Sequence, residues 1–110
     1  MKIEIQLTAD QVFAVAKLLE QVYYSHPIDT NQKIMRSIAI DVADKFTSKQ
    51  ITLYSNQNLF DSKKKHKMTL KFYEAFALHS VIELFLHTVN DLLKTTILQK
   101  LLNDLNQKLA

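Results

Sequence analysis

Three side chains of types that commonly bind divalent metals recur every fourth residue in the second half of the chain: His79, Glu83 and His87. A helix running from Tyr73 would line them along one side. The two histidines would then be two turns apart, a rise of about 12 Å, so one ion could contact only an adjacent His–Glu pair. The spacing is therefore typical of an ordinary polar helix face, and we predict neither a metal site nor a cofactor.

Enzymatic chemistry has little support in the composition. The chain contains no cysteine and no glycine, which excludes disulfides, thiolate metal sites, glycine-rich phosphate loops and nucleophile elbows. Asp41 and Asp44 would share one side of a helix, but beside Lys45 they are typical of a solvated acidic edge. We predict that the protein is not an enzyme and takes no small-molecule substrate.

Basic residues are concentrated in one segment. Residues 63–110 carry eight basic and four acidic side chains, and five lysines fall within nine residues: Lys63, Lys64, Lys65, Lys67 and Lys71. The simplest interpretation is a solvated loop. The alternative is contact with a nucleic-acid backbone, which would be weak, salt-sensitive and poor at reading sequence because Arg36 is the single arginine.

Periodicity predicts two strand–helix units. Apolar residues alternate with polar ones in 1–7 and again in 67–72, which indicates two short strands that pair with each other. Thr8 and Gln11 have the spacing of a capping box, so a helix should begin at Thr8 and run to about Tyr24, before Pro27. Asp29 or Thr30 can cap a second helix, whose predicted buried stripe is Ile34, Met35, Ile38, Val42 and Phe46.

The middle of the chain allows alternatives. Ile51 and Leu53 either continue the second helix or form a short strand in 50–54, and 56–66 is predicted to be a loop. After the second strand, helical periodicity continues from Tyr73 to Val89 and beyond. Thr96 with Gln99 has the spacing to begin a separate last helix.

The last helix carries an apolar strip of five leucines: Leu98, Leu101, Leu102, Leu105 and Leu109. Leu98, Leu102, Leu105 and Leu109 step by four, three and four, the spacing of one seam of a coiled coil, and Leu101 widens it. The strip either packs on the domain's own helices or contacts a second copy or another protein. From it we predict a homo-oligomer.

A strand–helix–turn–helix order is expected for residues 2–46, and the second helix contains Met35-Arg36-Ser37-Ile38-Ala39. This arrangement resembles the ribbon–helix–helix repressors, which have an Ile-Arg-x-Ala region there. The resemblance implies that N-terminal strands of two copies pair across a dimer and enter the DNA major groove. Lys2, Glu4 and Gln6 would then face DNA, where phosphates repel the carboxylate.

Together these patterns predict a single α+β domain over residues 1–110, mostly helical, with three or four helices packed on a two- or three-stranded sheet. We expect a non-enzymatic protein-interaction or structural module that self-associates. The alternative is a small DNA-binding regulator, acting through the N-terminal ribbon or residues 63–71. The lysine-rich, glycine-free composition favours an accessory protein of a phage or mobile element, and the absence of a signal-peptide pattern favours the cytoplasm.

Overall fold

The computed structural model describes residues 2–55 and 64–110. Within these ranges the elements are β1 Lys2–Leu7, α1 Ala9–Leu19, α2 Thr30–Ser55, β2 His66–Lys71, α3 Phe72–Phe85 and α4 Leu92–Leu109. Short 3₁₀ helices at Glu20–Tyr24 and Leu86–Thr88 follow α1 and α3. The predicted α+β class, four helices with a small sheet, is confirmed.

The two strands form an antiparallel ladder in which Ile3 lies opposite Leu70 and Ile5 opposite Met68. Side chains alternate between the two faces, so Ile3, Ile5 and Leu7 are buried against the helices while the other face is exposed. The predicted pairing of the strands is therefore observed. The second strand lies one residue earlier than predicted, and Phe72 begins α3 instead of ending the strand.

A single carboxylate explains where β2 ends and α3 begins. Glu74, the third residue of α3, is only 5% exposed. Its Oε1 accepts a hydrogen bond of 2.8 Å from the backbone N–H of Lys71, the last residue of β2. The Lys45 ammonium on α2 lies 2.9 Å from Oε1 and 2.8 Å from Oε2. The end of β2, the first turn of α3 and the middle of α2 therefore meet at this side chain.

The four helices pack in a ring, in which α1 and α3 each contact both α2 and α4. All four helices and the inner face of the sheet contribute to one continuous apolar core. Its largest fully buried side chains from the helices are Leu19, Phe46, Leu53, Leu78, Ile82, Leu98 and Leu105. None of the helices in the described residues is both long and apolar enough to cross a membrane.

The predicted capping box at the start of α1 is present. The Gln11 N–H donates to Thr8 Oγ1 at 3.3 Å, and the Thr8 N–H donates to Gln11 Oε1 at 2.9 Å. The helix predicted through Tyr24 is in two parts, because α1 ends at Leu19 and a 3₁₀ helix follows.

Helix α2 settles the open question in the middle of the chain. It continues to Ser55 with Leu53 buried and Ile51 59% exposed, so the alternative strand in 50–54 is wrong. Ile34 was predicted to be buried but is 55% exposed. Ile34 lies in the first turns of this 26-residue helix, where residues 30–34 are all exposed.

The link between α3 and α4 also differs from the prediction. Helix α3 ends at Phe85, and α4 begins at Leu92 because the Asp91 carboxylate accepts hydrogen bonds from the N–H groups of Leu93 and Lys94. The hydroxyl of Thr96, the predicted cap, donates instead to the Leu92 carbonyl oxygen. Of the predicted loop 56–66, residues 56–63 lie outside the described residues, and His66 belongs to β2.

We predict that Glu74→Gln lowers the free energy of unfolding by about 2 kcal/mol, the usual range for losing hydrogen bonds to a buried charged group. Burial raises the pKa of the Glu74 carboxyl. The hydrogen bonds from Lys45 and Lys71, with the charges of these lysines, outweigh it and hold the pKa below its ordinary value of 4.5. Urea unfolding followed by circular dichroism measures the change.

The lowered pKa of Glu74 also determines how its contribution to the free energy of unfolding depends on pH. A carboxyl whose pKa is lower in the folded state stabilises the fold above the unfolded-state value and loses that contribution as the pH falls. The difference between wild type and Glu74→Gln should therefore be largest above pH 4.5 and shrink below it. Exposed Glu83 on the same helix supplies the control variant, Glu83→Gln. A difference that does not change with pH would contradict this role for Glu74.

Candidate functional site

The predicted leucine contact surface lies inside the protein. Four of the five leucines, Leu98, Leu101, Leu102 and Leu105, are between 0% and 6% exposed and belong to the core, and Leu109 is half-buried against it. The simpler alternative considered for the strip, packing within the chain, is the observed one. The predicted self-association would therefore need another surface.

The lysine cluster lies at and before strand β2. Lys63 falls outside the described residues, while Lys64 and Lys65 are exposed just before the strand. The Lys67 ammonium forms an ion pair of 2.8 Å with Glu4 on β1, and this contact raises the pKa of Lys67. The Lys71 ammonium lies 5.7 Å from the centre of the Tyr73 ring, and the contact with Tyr73 raises the pKa of Lys71.

The residues considered for metal or acid–base chemistry are spread over separate contacts. His79 shares a 2.6 Å hydrogen bond with Asn106 on α4, and His87 lies in the 3₁₀ helix beyond the end of α3. Asp44 accepts a 2.6 Å hydrogen bond from the Tyr23 hydroxyl, which raises the pKa of Tyr23. In the part of the chain that the structure describes, no three His, Cys, Asp or Glu side chains lie close enough to hold a metal ion.

An apolar groove lies between the first half of α2 and the second half of α3, and residues 25–27 also line it. We call it the α2–α3 groove. Its volume is about 280 Å³, and its apolar lining includes Val22, Met35, Ala39, Val81, Leu84 and Phe85. Leu84 is 63% exposed, and Ala39 is buried at the base. The groove therefore offers aliphatic and aromatic surface to another molecule.

Arg36 provides the charge on the wall of this groove. Its Nε donates to Ser25 Oγ at 3.1 Å, and its Nη2 donates to the Tyr23 carbonyl oxygen at 3.0 Å. His26 is the other ionisable residue of the lining, which contains no carboxylate. The guanidinium is thus held in place by neutral acceptors, and none of the ion pairs among the described residues includes it.

Two hydrogen bonds fix the turn that follows the groove-lining residues 25–27. Gln32 Oε1 accepts from the Ile28 N–H at 2.8 Å, and the Gln32 N–H donates to Asp29 Oδ1 at 2.8 Å. These bonds secure the turn from Pro27 into α2.

A second, polar cleft of about 390 Å³ lies between β1 and α4, and we call it the sheet cleft. Its lining includes Glu4, Gln6, Gln11, Lys65, Lys100 and Asp104. Lys108 at its edge donates to the Glu4 carbonyl oxygen at 2.6 Å and lies 3.4 Å from Asp104. The structure thus brings α4 lysines beside the predicted basic segment.

The sheet of this protein differs from the one that the ribbon–helix–helix resemblance implies. Strand β1 pairs with β2 of its own chain, whereas the family pairs the strands of two copies. Arg36 in the Met35–Ala39 segment is bonded to Ser25 and to the Tyr23 carbonyl. Comparisons with protein-family models, with curated proteins and with solved structures gave no match.

Sequence reasoning missed the α2–α3 groove because its walls are more than forty positions apart in the chain. One signal was available, since the single arginine follows the single proline by nine residues. The lysines of α4 were missed for a similar reason. Lys100 and Lys108 are isolated in sequence and join Lys65 only in the folded chain.

We predict that replacing Leu102 and Leu105 together by glutamate unfolds the protein, because two carboxylates would be buried without partners. The matched control is Leu92→Glu with Leu93→Glu, since these residues are 82% and 68% exposed on the same helix. The control should keep the wild-type melting temperature within a few degrees. Circular dichroism and light scattering distinguish unfolding of the Leu102 and Leu105 variant from a folded monomer. A folded monomer is the outcome expected if the strip were an oligomer interface.

Proposed function

We propose that the protein is a non-enzymatic protein-interaction module that binds a segment of a partner protein in the α2–α3 groove. The observation that supports this most directly is the combination of an apolar lining with a fixed guanidinium and no carboxylate. Apolar clefts with a few well-placed polar groups are the usual form of a binding site. Buried aliphatic contacts supply affinity there, and the charged group fixes orientation.

The charge of the groove defines the chemistry of the partner. Arg36 has five N–H donors, and the two described bonds leave three available. Guanidinium pairs preferentially with carboxylate, in a geometry that is both strong and directional. The proposed occupant is therefore a short segment with two or more apolar side chains beside an Asp or Glu residue, or beside a terminal carboxylate.

The fixed geometry of the groove favours binding as well. Arg36 is held by Ser25 and the Tyr23 carbonyl, and the turn into α2 is held by Gln32. Because these groups are already ordered, binding does not have to pay for ordering them. A second copy of the chain is the competing occupant, and the oligomeric state is measured alongside.

The proposal is tested by selecting peptides from a random display library on the wild-type protein. Selected peptides should share apolar residues and an acidic residue, and their affinities are measured by fluorescence polarisation. We expect Leu84→Glu to weaken binding about tenfold or more, because it removes apolar contact and repels the carboxylate. Leu93→Glu, at a leucine of similar exposure (68% against 63% for Leu84) outside the groove lining, should bind like wild type.

The role of Arg36 is isolated with a double-mutant cycle. Arg36→Gln and replacement of the peptide's acidic residue by its amide should each weaken binding, and the two changes together should cost little more than one. The proposal is contradicted if the selection yields no peptides. It is also contradicted if the selected peptides bind Leu84→Glu as well as wild type. A wild-type dimer that Leu84→Glu dissociates would assign the groove to a second copy.

A further inference from the structure

We propose that the exposed face of the sheet, together with the sheet cleft, binds the backbone of single-stranded nucleic acid without sequence preference. This surface is distinct from the α2–α3 groove, and none of its residues lines that groove. It combines the two features that such binding needs, which are a row of cations for phosphates and exposed aromatic rings for unpaired bases.

The cations come from three elements, which are β2 with the residue before it, β1 and α4. Lys65 lies just before β2, and Lys67 and Lys71 lie on the exposed face of the strand with Thr69 between them. At about 3.3 Å per residue the row is about 20 Å long. Lys2 lies opposite Lys71 at one end of the ladder, and Lys100 reaches the other end from α4.

Two neighbouring carboxylates reduce the charge of this surface without removing it. Glu4 is paired with Lys67, and Asp104 lies beside Lys108. Among the described residues no ion pair includes Lys65 or Lys100, the two ammonium groups that line the sheet cleft with the amides of Gln6 and Gln11. A phosphate in the cleft would therefore meet two unpaired cations and two amide donors. The two carboxylates of the lining, Glu4 and Asp104, each already contact a lysine.

Aromatic side chains continue the row. The Lys71 ammonium lies 5.7 Å from the centre of the Tyr73 ring, and Phe76 is one helical turn further along α3. Tyr73 is 50% exposed and Phe76 is 49% exposed. Exposed rings stack with bases only when the bases are unpaired, which favours a single strand over a duplex. This face has no arginine, so it lacks the planar guanidinium fork that is best suited to bidentate recognition.

The test is fluorescence polarisation with a labelled oligothymidine of roughly 20 nucleotides at about 50 and about 200 mM salt. We expect affinity to fall more than tenfold between the two salt concentrations. Lys65→Gln with Lys100→Gln should weaken binding about tenfold and reduce the salt slope by about 1.4, the value for two phosphate contacts with a single strand. Exposed lysines contribute little to stability, so the variant should remain folded.

Two controls match the changes in charge and in aromatic surface. Lys33→Gln with Lys94→Gln removes the same charge from the first turns of α2 and α4, away from the sheet, and should bind like wild type. Tyr73→Ala should weaken binding of oligothymidine several-fold, whereas Tyr24→Ala, at an exposed tyrosine outside this face, should not. The wild type should bind the single strand more tightly than a duplex of equal length.

The proposal is overturned by any of four results. These are no binding at the lower salt concentration, equal losses in the two lysine variants, a duplex preferred to the single strand, and no effect of Tyr73→Ala. Vesicles containing phosphatidylserine are measured in parallel. Binding to these vesicles without binding to oligothymidine would reassign the surface to a membrane.

Discussion

The antiparallel ladder between residues 2–7 and 66–71 is the constraint on which the other elements depend. The first strand ends opposite the beginning of the second, so α1 and α3 leave the sheet from opposite ends. Each helix begins almost at once, at the Thr8 cap and at the Glu74 carboxylate. With α1 and α3 so directed, α2 and α4 fill the spaces on either side and complete the ring.

Helix α4 has different roles along its length. Its first turn exposes Leu92 and Leu93, its middle fills the core with Leu98 and Leu105, and its last turn brings Lys108 to the Glu4 carbonyl. A strand at the edge of a sheet offers unpaired backbone groups to other chains. The Lys108 ammonium occupies one such carbonyl group, so α4 both completes the core and limits unwanted pairing at β1.

The features that sequence predicted correctly are local ones. The alternation of apolar and polar residues predicted both strands to within one residue, and the Thr8–Gln11 spacing predicted the start of α1. Two errors concern helix ends, since α1 stops at Leu19 and α4 starts at Leu92. Other errors concern burial, because an apolar stripe does not specify what will cover it. Ile34 and the α4 leucines have similar periodicity, yet Ile34 is exposed and Leu105 is buried. The lysines of β2 could be predicted, but the α2–α3 groove and the position of Lys100 depend on packing between distant segments.

The separation of the two strands in the chain has a consequence for synthesis. Between them lie residues 8–65, which a ribosome adds at roughly 5–20 residues per second, so β1 waits roughly 3–12 s for its partner. During that interval Ile3, Ile5 and Leu7 have no ladder to join. Contacts between distant segments also slow folding after release. The time for which β1 of a nascent chain lacks its ladder partner is therefore set by translation speed rather than by the strand's own propensity.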